Sequence, residues 1–141
     1  MIKEIISRNK DFKTDGFMES LILILLFFKE NQMTFSFSDF FENYNTKSRF
    51  VAIEKLATKY NIVAVEEQNI SLEKLKQYNY PTIINISSYS NKNHYVVCMG
   101  YNNEKGFMIY DSINEKYFVK DIFMEALWRN NSCWSFDLKY T

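Results

Sequence analysis

An imidazole and a carboxylate at the two ends of a predicted β-hairpin are the residues of this chain whose types and spacing could do chemistry. His94–Tyr101 (HYVVCMGY) and Gly106–Asp111 (GFMIYD) are rich in β-branched and aromatic residues and flank a polar turn, Asn102–Lys105. With Tyr101 opposite Gly106, Val96 lies opposite Asp111 and His94 opposite Ile113. Opposed residues share a face, so His94 and Asp111 become diagonal neighbours within side-chain reach. A histidine held by a carboxylate is the base-and-orienter half of a nucleophilic site. The plainer reading is a surface histidine beside a surface aspartate at a strand end, and spacing alone leaves both open.

No second cluster competes with this pair. His94 is the single histidine, and Cys98 and Cys133 have no CxxC or Cys/His spacing of a metal site. Both cysteines read as buried reduced thiols acting as small apolar residues. Lys plus Arg equals Asp plus Glu at 17 each, so net charge offers no argument for a nucleic acid or an anionic membrane as partner. With 47% hydrophobic and 24% charged residues, the chain has the composition of a folded soluble domain. Its 141 residues suit one domain spanning the whole chain.

The elements that must position the pair follow from pattern. A helix is predicted over Gly16–Glu30, and its apolar middle, Leu21–Phe28, requires cover on most sides. That run is too short to span a bilayer, which takes about 20 residues, and it lacks the flanks of a signal peptide. Ser38–Tyr44 reads as a short helix, and Arg49–Tyr60 as another with Ile53, Leu56, Ala57 and Tyr60 buried. Phe35, Phe37, Phe40 and Phe41 read as core. Asn61–Glu66 is a short strand, Ser71 caps a helix over Leu72–Tyr78, and Pro81 opens a strand over Thr82–Ser87. A last helix over Lys120–Asn130 and a strand over Ser132–Leu138 complete the chain. Helices first and a mostly antiparallel sheet after them make an α+β fold.

These residues also resemble a known family. His94-Tyr-Val-Val, then Asp111-Ser112 ending the next strand, then Trp128, resemble the C-terminal half of the bacteriocin-processing cysteine peptidases, peptidase family C thirty-nine. The stretch from Ser48 to Ile86 follows that family's helix, short strand, helix and Pro-opened strand. The likeness covers roughly residues 10 to 135, and its specificity lies in order and spacing, not in one motif. It implies a papain-like cysteine peptidase fold with the first long helix packed on the sheet that carries His94, and with the His94–Asp111 pair facing the N-terminus of that helix.

The departure lies at the N-terminal motif. The family's motif runs Gln, then Asp-Cys-Gly-x-x-[CS]-Leu; here Asp15, Ser20 and Leu21 match, Gly16 stands at the nucleophile and Lys10 at the oxyanion-hole glutamine. Glycine has no side chain to attack with, and loss of the oxyanion donor alone costs about 10²–10³ in rate. Ser20 lies one helical turn further in, about 6 Å from position 16, and Cys98 falls in the core, so neither is expected to substitute. The resemblance then implies a catalytically inactive domain with a relic His94–Asp111 pair. It implies a peptide-binding cleft bordered by Gly16, Phe17, His94 and Tyr95, with Tyr89 and Tyr95 on its rim. The implied partners are a leader peptide or unfolded secreted cargo, and the transmembrane and ATPase domains of an ABC-type exporter. No cofactor, metal, nucleic acid or direct membrane insertion is expected, and the location is cytoplasmic. Against this stand an active peptidase or acyltransferase with an unconventional nucleophile, and a free-standing scaffold or immunity-type protein in which the pair is kept for packing.

Overall fold

The computed structural model describes residues 16–30, 53–54, 57–87, 93–111 and 115–138. Helix α1 (Gly16–Glu30) comes first, with Glu19 in its first turn, where a carboxylate opposes the positive end of the helix dipole. It is buried almost all round: within 21–28 only Leu23 and Phe27 are partly buried instead of fully buried. Residues 53–54 and 57–59 are helical, within the predicted third helix, and Ile53 and Tyr60 are buried as expected. The predicted short helix over Ser38–Tyr44 and the phenylalanines at 35, 37, 40 and 41 lie outside the described residues.

Six strands form one sheet: β1 (Ile62–Glu67), β2 (Thr82–Ser87), β3 (Asn93–Asn102), β4 (Gly106–Asp111), β5 (Glu115–Val119) and β6 (Trp128–Leu138). Their order is β1-β6-β2-β3-β4-β5, and every neighbouring pair is antiparallel. One face is packed by α1: Ile83, Val97 and Phe136 join Phe17, Met18 and Ile22 in a buried cluster. The other face is covered by short helices α2 (Leu72–Leu75) and α3 (Asp121–Leu127), with Leu75 and Met124 against Ile84, Val96, Cys98 and Ile109. This is the expected α+β fold of papain-like type, with helices packed on an antiparallel sheet.

Several boundaries differ from the sequence-based expectation. Ser71 caps α2 as predicted, its Oγ accepting from the Lys74 N–H at 3.1 Å, but the helix stops at Leu75. Tyr78 is turned to donate its hydroxyl to Glu67 on β1, a bond a continued helix would break. The last helix ends at Leu127, not Asn130. Trp128 is extended and pairs with Ile86, and Asn130 and Asn131 have φ of 60° and 45°. Consecutive left-handed residues cannot continue a right-handed helix. Strand β5 adds to the sequence-based expectation; its Tyr117-Phe118-Val119 run is too short to show alternation.

The hairpin register holds a compensation. At the turn Asn102 pairs with Gly106 and Tyr101 with Phe107, one residue out of the predicted register. The Asn102 side chain closes the loop by accepting from the Glu104 and Lys105 N–H groups at 2.8 and 3.0 Å. A bulge between Cys98 and Gly100 then absorbs one residue of β3, so that Cys98 pairs with Ile109 and Val97 with Tyr110. One step further the predicted alignment, Val96 opposite Asp111, is restored.

Candidate functional site

Strand alternation and the restored register put His94 and Asp111 on one face. His94 Nε2 lies 3.7 Å from Asp111 Oδ2, an ion pair whenever the imidazole is protonated. The Asp111 side chain is fully buried, while 23% of the His94 side chain is accessible. A third member comes from β5. Burial, and then the Asp111 carboxylate to which it is hydrogen-bonded, push the Tyr117 hydroxyl up to about 12, so it stays a donor at neutral pH. A fourth comes from β2: Asn85 Oδ1 accepts from the His94 backbone N–H at 3.1 Å. Sequence reasoning missed both. Asn85 could have been found as the one amide inside an otherwise apolar strand (TIINI); Tyr117 went with its unpredicted strand.

The N-terminus of α1 abuts this group from the side. A Cβ built on Gly16 would lie 3.7 Å from both the N and the O of Tyr95 and 4.0 Å from its Cβ, ordinary contact distances. The position therefore has room for a side chain, beside the peptide bond that joins His94 to Tyr95. The expectation that the imidazole faces this helix end needs correction. Tyr95 and Val97 point toward α1, while Val96 and Cys98 belong to the opposite cluster, so alternation carries the His94 ring to the Asp111 side.

Phe17 also needs correction as a peptide-contacting residue. It is 1% exposed, its ring edge-on to Tyr95 (5.1 Å, 87°) and to Trp134 (6.4 Å, 77°). It anchors the helix end on the sheet. Lys10 and Tyr89 lie outside the described residues.

The two substitute nucleophiles are both engaged. Ser20 is 2% exposed and its Oγ donates to the Gly16 carbonyl at 2.9 Å, filling the first turn of the helix. Cys98 is buried on the far face, and desolvation pushes its thiol up to about 11. Cys133 is likewise free, buried and pushed up to about 11, chiefly by desolvation. Among the described residues no three His, Cys, Asp or Glu side chains converge as a metal site would require, and no helix is long and apolar enough to cross a membrane.

The raised thiols give the fold an alkaline limit. A buried thiol stays protonated after its unfolded counterpart, near 9.0, has ionised, so its contribution is complete below pH 9 and is lost as pH rises toward about 11. The loss is about 2–3 kcal/mol for each thiol. Denaturation midpoints measured from pH 8 to 11 should fall, and Cys98→Ala should remove part of that fall, the rest belonging to Cys133 and to raised tyrosines such as Tyr117. A midpoint independent of pH over this window would contradict the burial of both thiols.

Comparison with known proteins agrees with this fold. Residues 13–134 match the Peptidase C39 family. A double glycine motif protease from an AMS/PCAT transporter, crystallised in complex with the leader peptide, superposes with a TM-score of 0.61 at 19% identity, covering 91% of this chain and 89% of that one. The peptidase domain of Streptococcus mutans ComA superposes with a TM-score of 0.50 at 18% identity, covering 67% of this chain and 80% of that one. No curated protein matches this chain by sequence. The match over residues 13–134 and the shared fold make the chain a member of the Peptidase C39 family.

Proposed function

We propose that this domain is a catalytically silent relative of the peptidases it resembles, and that it holds a leader peptide or unfolded cargo segment on the cytoplasmic side of an ABC-type exporter without cutting it. The observation that carries the reading is Gly16. The helix end that presents a nucleophile in the family stands against the His94–Tyr95 peptide bond with room for a side chain and none in it. Ser20 and Cys98 are committed to a backbone carbonyl and to the core, which removes the nearest replacements. What remains is the recognition half of a peptidase: Gly16 beside Tyr95 at the helix end, Phe17 supporting Tyr95 from below, and, at the same strand end, His94 with the buried Asp111 beside its imidazole. The leader peptide bound to the AMS/PCAT transporter protease supports the choice of ligand class. Without a covalent step the affinity rests on apolar contact and strand-edge bonds, on the order of micromolar.

Titrating a peptide that ends in Gly-Gly into isotope-labelled protein tests this. Amide shifts should centre on Gly16, His94 and Tyr95, and mass spectrometry should find the peptide intact after prolonged incubation. Shifts confined to a remote surface would leave the cleft with a packing role only. Turnover that vanishes in Ser20→Ala or Cys98→Ala would make the domain an enzyme with an unconventional nucleophile.

A further inference from the structure

A cleft of about 580 Å³ opens beside Tyr95, toward β1 and β6. Its walls are preformed. One lip carries Asn69 and the other Asn130, both left-handed, with φ of 54° and 60°. The lips are tied together: the Ile70 N–H donates to the Asn131 carbonyl at 3.0 Å, and Asn131 Nδ2 donates to the Ile70 carbonyl at 3.3 Å. Side-chain amides line much of the interior, among them Asn85, which also holds the His94 backbone.

Within this amide-lined space one charge stands out. Glu66 lies directly opposite Trp134 in the β1–β6 register, so carboxylate and indole share a face as nearest neighbours. Gln68 Nε2 donates to Glu66 Oε1 at 3.3 Å, which orients the carboxylate without neutralising it. The adjacent Glu67 is paired with Lys74 at 3.1 Å, whereas among the described residues no lysine or arginine is paired with Glu66. A carboxylate beside an aromatic face, with no cation of its own, is a receptor for one.

The geometry points to a subsite for a lysine or arginine side chain of a bound peptide, its cation held between the Glu66 carboxylate and the Trp134 ring. The amides of Asn85 and Asn130 offer donors and acceptors to the peptide backbone beside it. Asn85 and Tyr95 belong both to this cleft and to the surroundings of His94, so one extended segment passing Tyr95 reaches both. The inference rests on the peptide-binding reading and adds to it a chemical preference, for a segment with a basic residue over a neutral one.

Two peptides ending in Gly-Gly, identical except that one central lysine is norleucine in the second, separate the possibilities by calorimetry. The lysine peptide should bind about tenfold tighter. Glu66→Gln, an exposed change that should leave the thermal midpoint unaltered, should erase that difference and leave the norleucine peptide's affinity as it was. Equal binding of the two peptides, with shifts still at Tyr95, overturns the cation subsite and leaves peptide binding standing. Should neither peptide bind, the peptide reading falls, and N-acetyl-lysine amide titrated against the Trp134 indole resonance decides the subsite by itself. A shift lost in Glu66→Gln sustains it, and no shift overturns it.

Discussion

Gly16→Cys should turn a protein that resists alkylation into one that is labelled quickly at a single site. Wild-type Cys98 and Cys133 are buried and pushed up to about 11, so at neutral pH almost none of either thiol is thiolate. A thiol on the first residue of α1 lies at the positive end of the helix dipole, beside the Tyr95 backbone, and is partly exposed. Its ionised fraction should exceed that of the native thiols by about 10²–10³, and the iodoacetamide rate should rise in proportion. Adding His94→Ala should slow the labelling if the imidazole reaches the thiol by a modest rotation, and leave it unchanged if the ring stays on the Asp111 side. Turnover is not expected from Gly16→Cys alone, since the resemblance aligns Lys10, and not a glutamine, with the family's oxyanion-hole residue. A Gly16→Cys protein labelled no faster than wild type would mean that this helix end is not where the family's nucleophile belongs.

Gly106→Ala should be the most destabilising single methyl group that the hairpin can receive. Gly106 has φ of 99°, and a Cβ there would strike the Val119 carbonyl oxygen while lying 2.7 Å from Val119 C and 2.9 Å from Lys120 Cα. All three are backbone atoms at the end of β5 and just past it, and they cannot rotate away. Relief requires β5 to leave β4, which takes Tyr117 from Asp111 and opens the buried carboxylate to solvent. The cost should exceed about 4 kcal/mol, a large part of the stability of a domain this size. Gly100→Ala is the control. Its φ is 145°, but nothing lies within 4 Å of the added methyl group, so only backbone strain of about 1–3 kcal/mol is expected. Urea denaturation of the two variants should separate them clearly, and similar midpoints would mean that Gly106 does not lie against the Val119 backbone.

The parts of this fold that show in the sequence are those where one local pattern decides. The apolar run of α1, the Ser71 cap and the two strands around Asn102–Lys105 each follow from periodicity or a capping residue. Trp128–Asn130 reads as the end of a helix because its residue types do not forbid one; only pairing with Ile86 and the left-handed Asn130 and Asn131 make it strand. The site divides the same way. His94 and Asp111 stand out because a lone histidine and a strand-ending carboxylate are rare types at a fixed spacing. Asn85 and Tyr117 act on them through tertiary contact and carry no spacing of their own. The side of the sheet on which His94 meets α1 is a property of strand twist and packing, and the motif that aligns Gly16 with a nucleophile does not contain it.

The bulge between Cys98 and Gly100 makes the hairpin behave like a reading frame with two opposite shifts. The loop after Asn102 moves the register by one, and the bulge moves it back. Each change alone inverts every downstream side chain. Without the bulge Asp111 would face Val97 on the α1 side, and the whole sheet would stand between the carboxylate and His94. Deleting Met99, the residue that the bulge leaves unpaired, should therefore spare the pair, because Cys98 stays opposite Ile109 and Val96 opposite Asp111 in a straight ladder, whereas straightening the bulge with Met99 kept should separate carboxylate and imidazole.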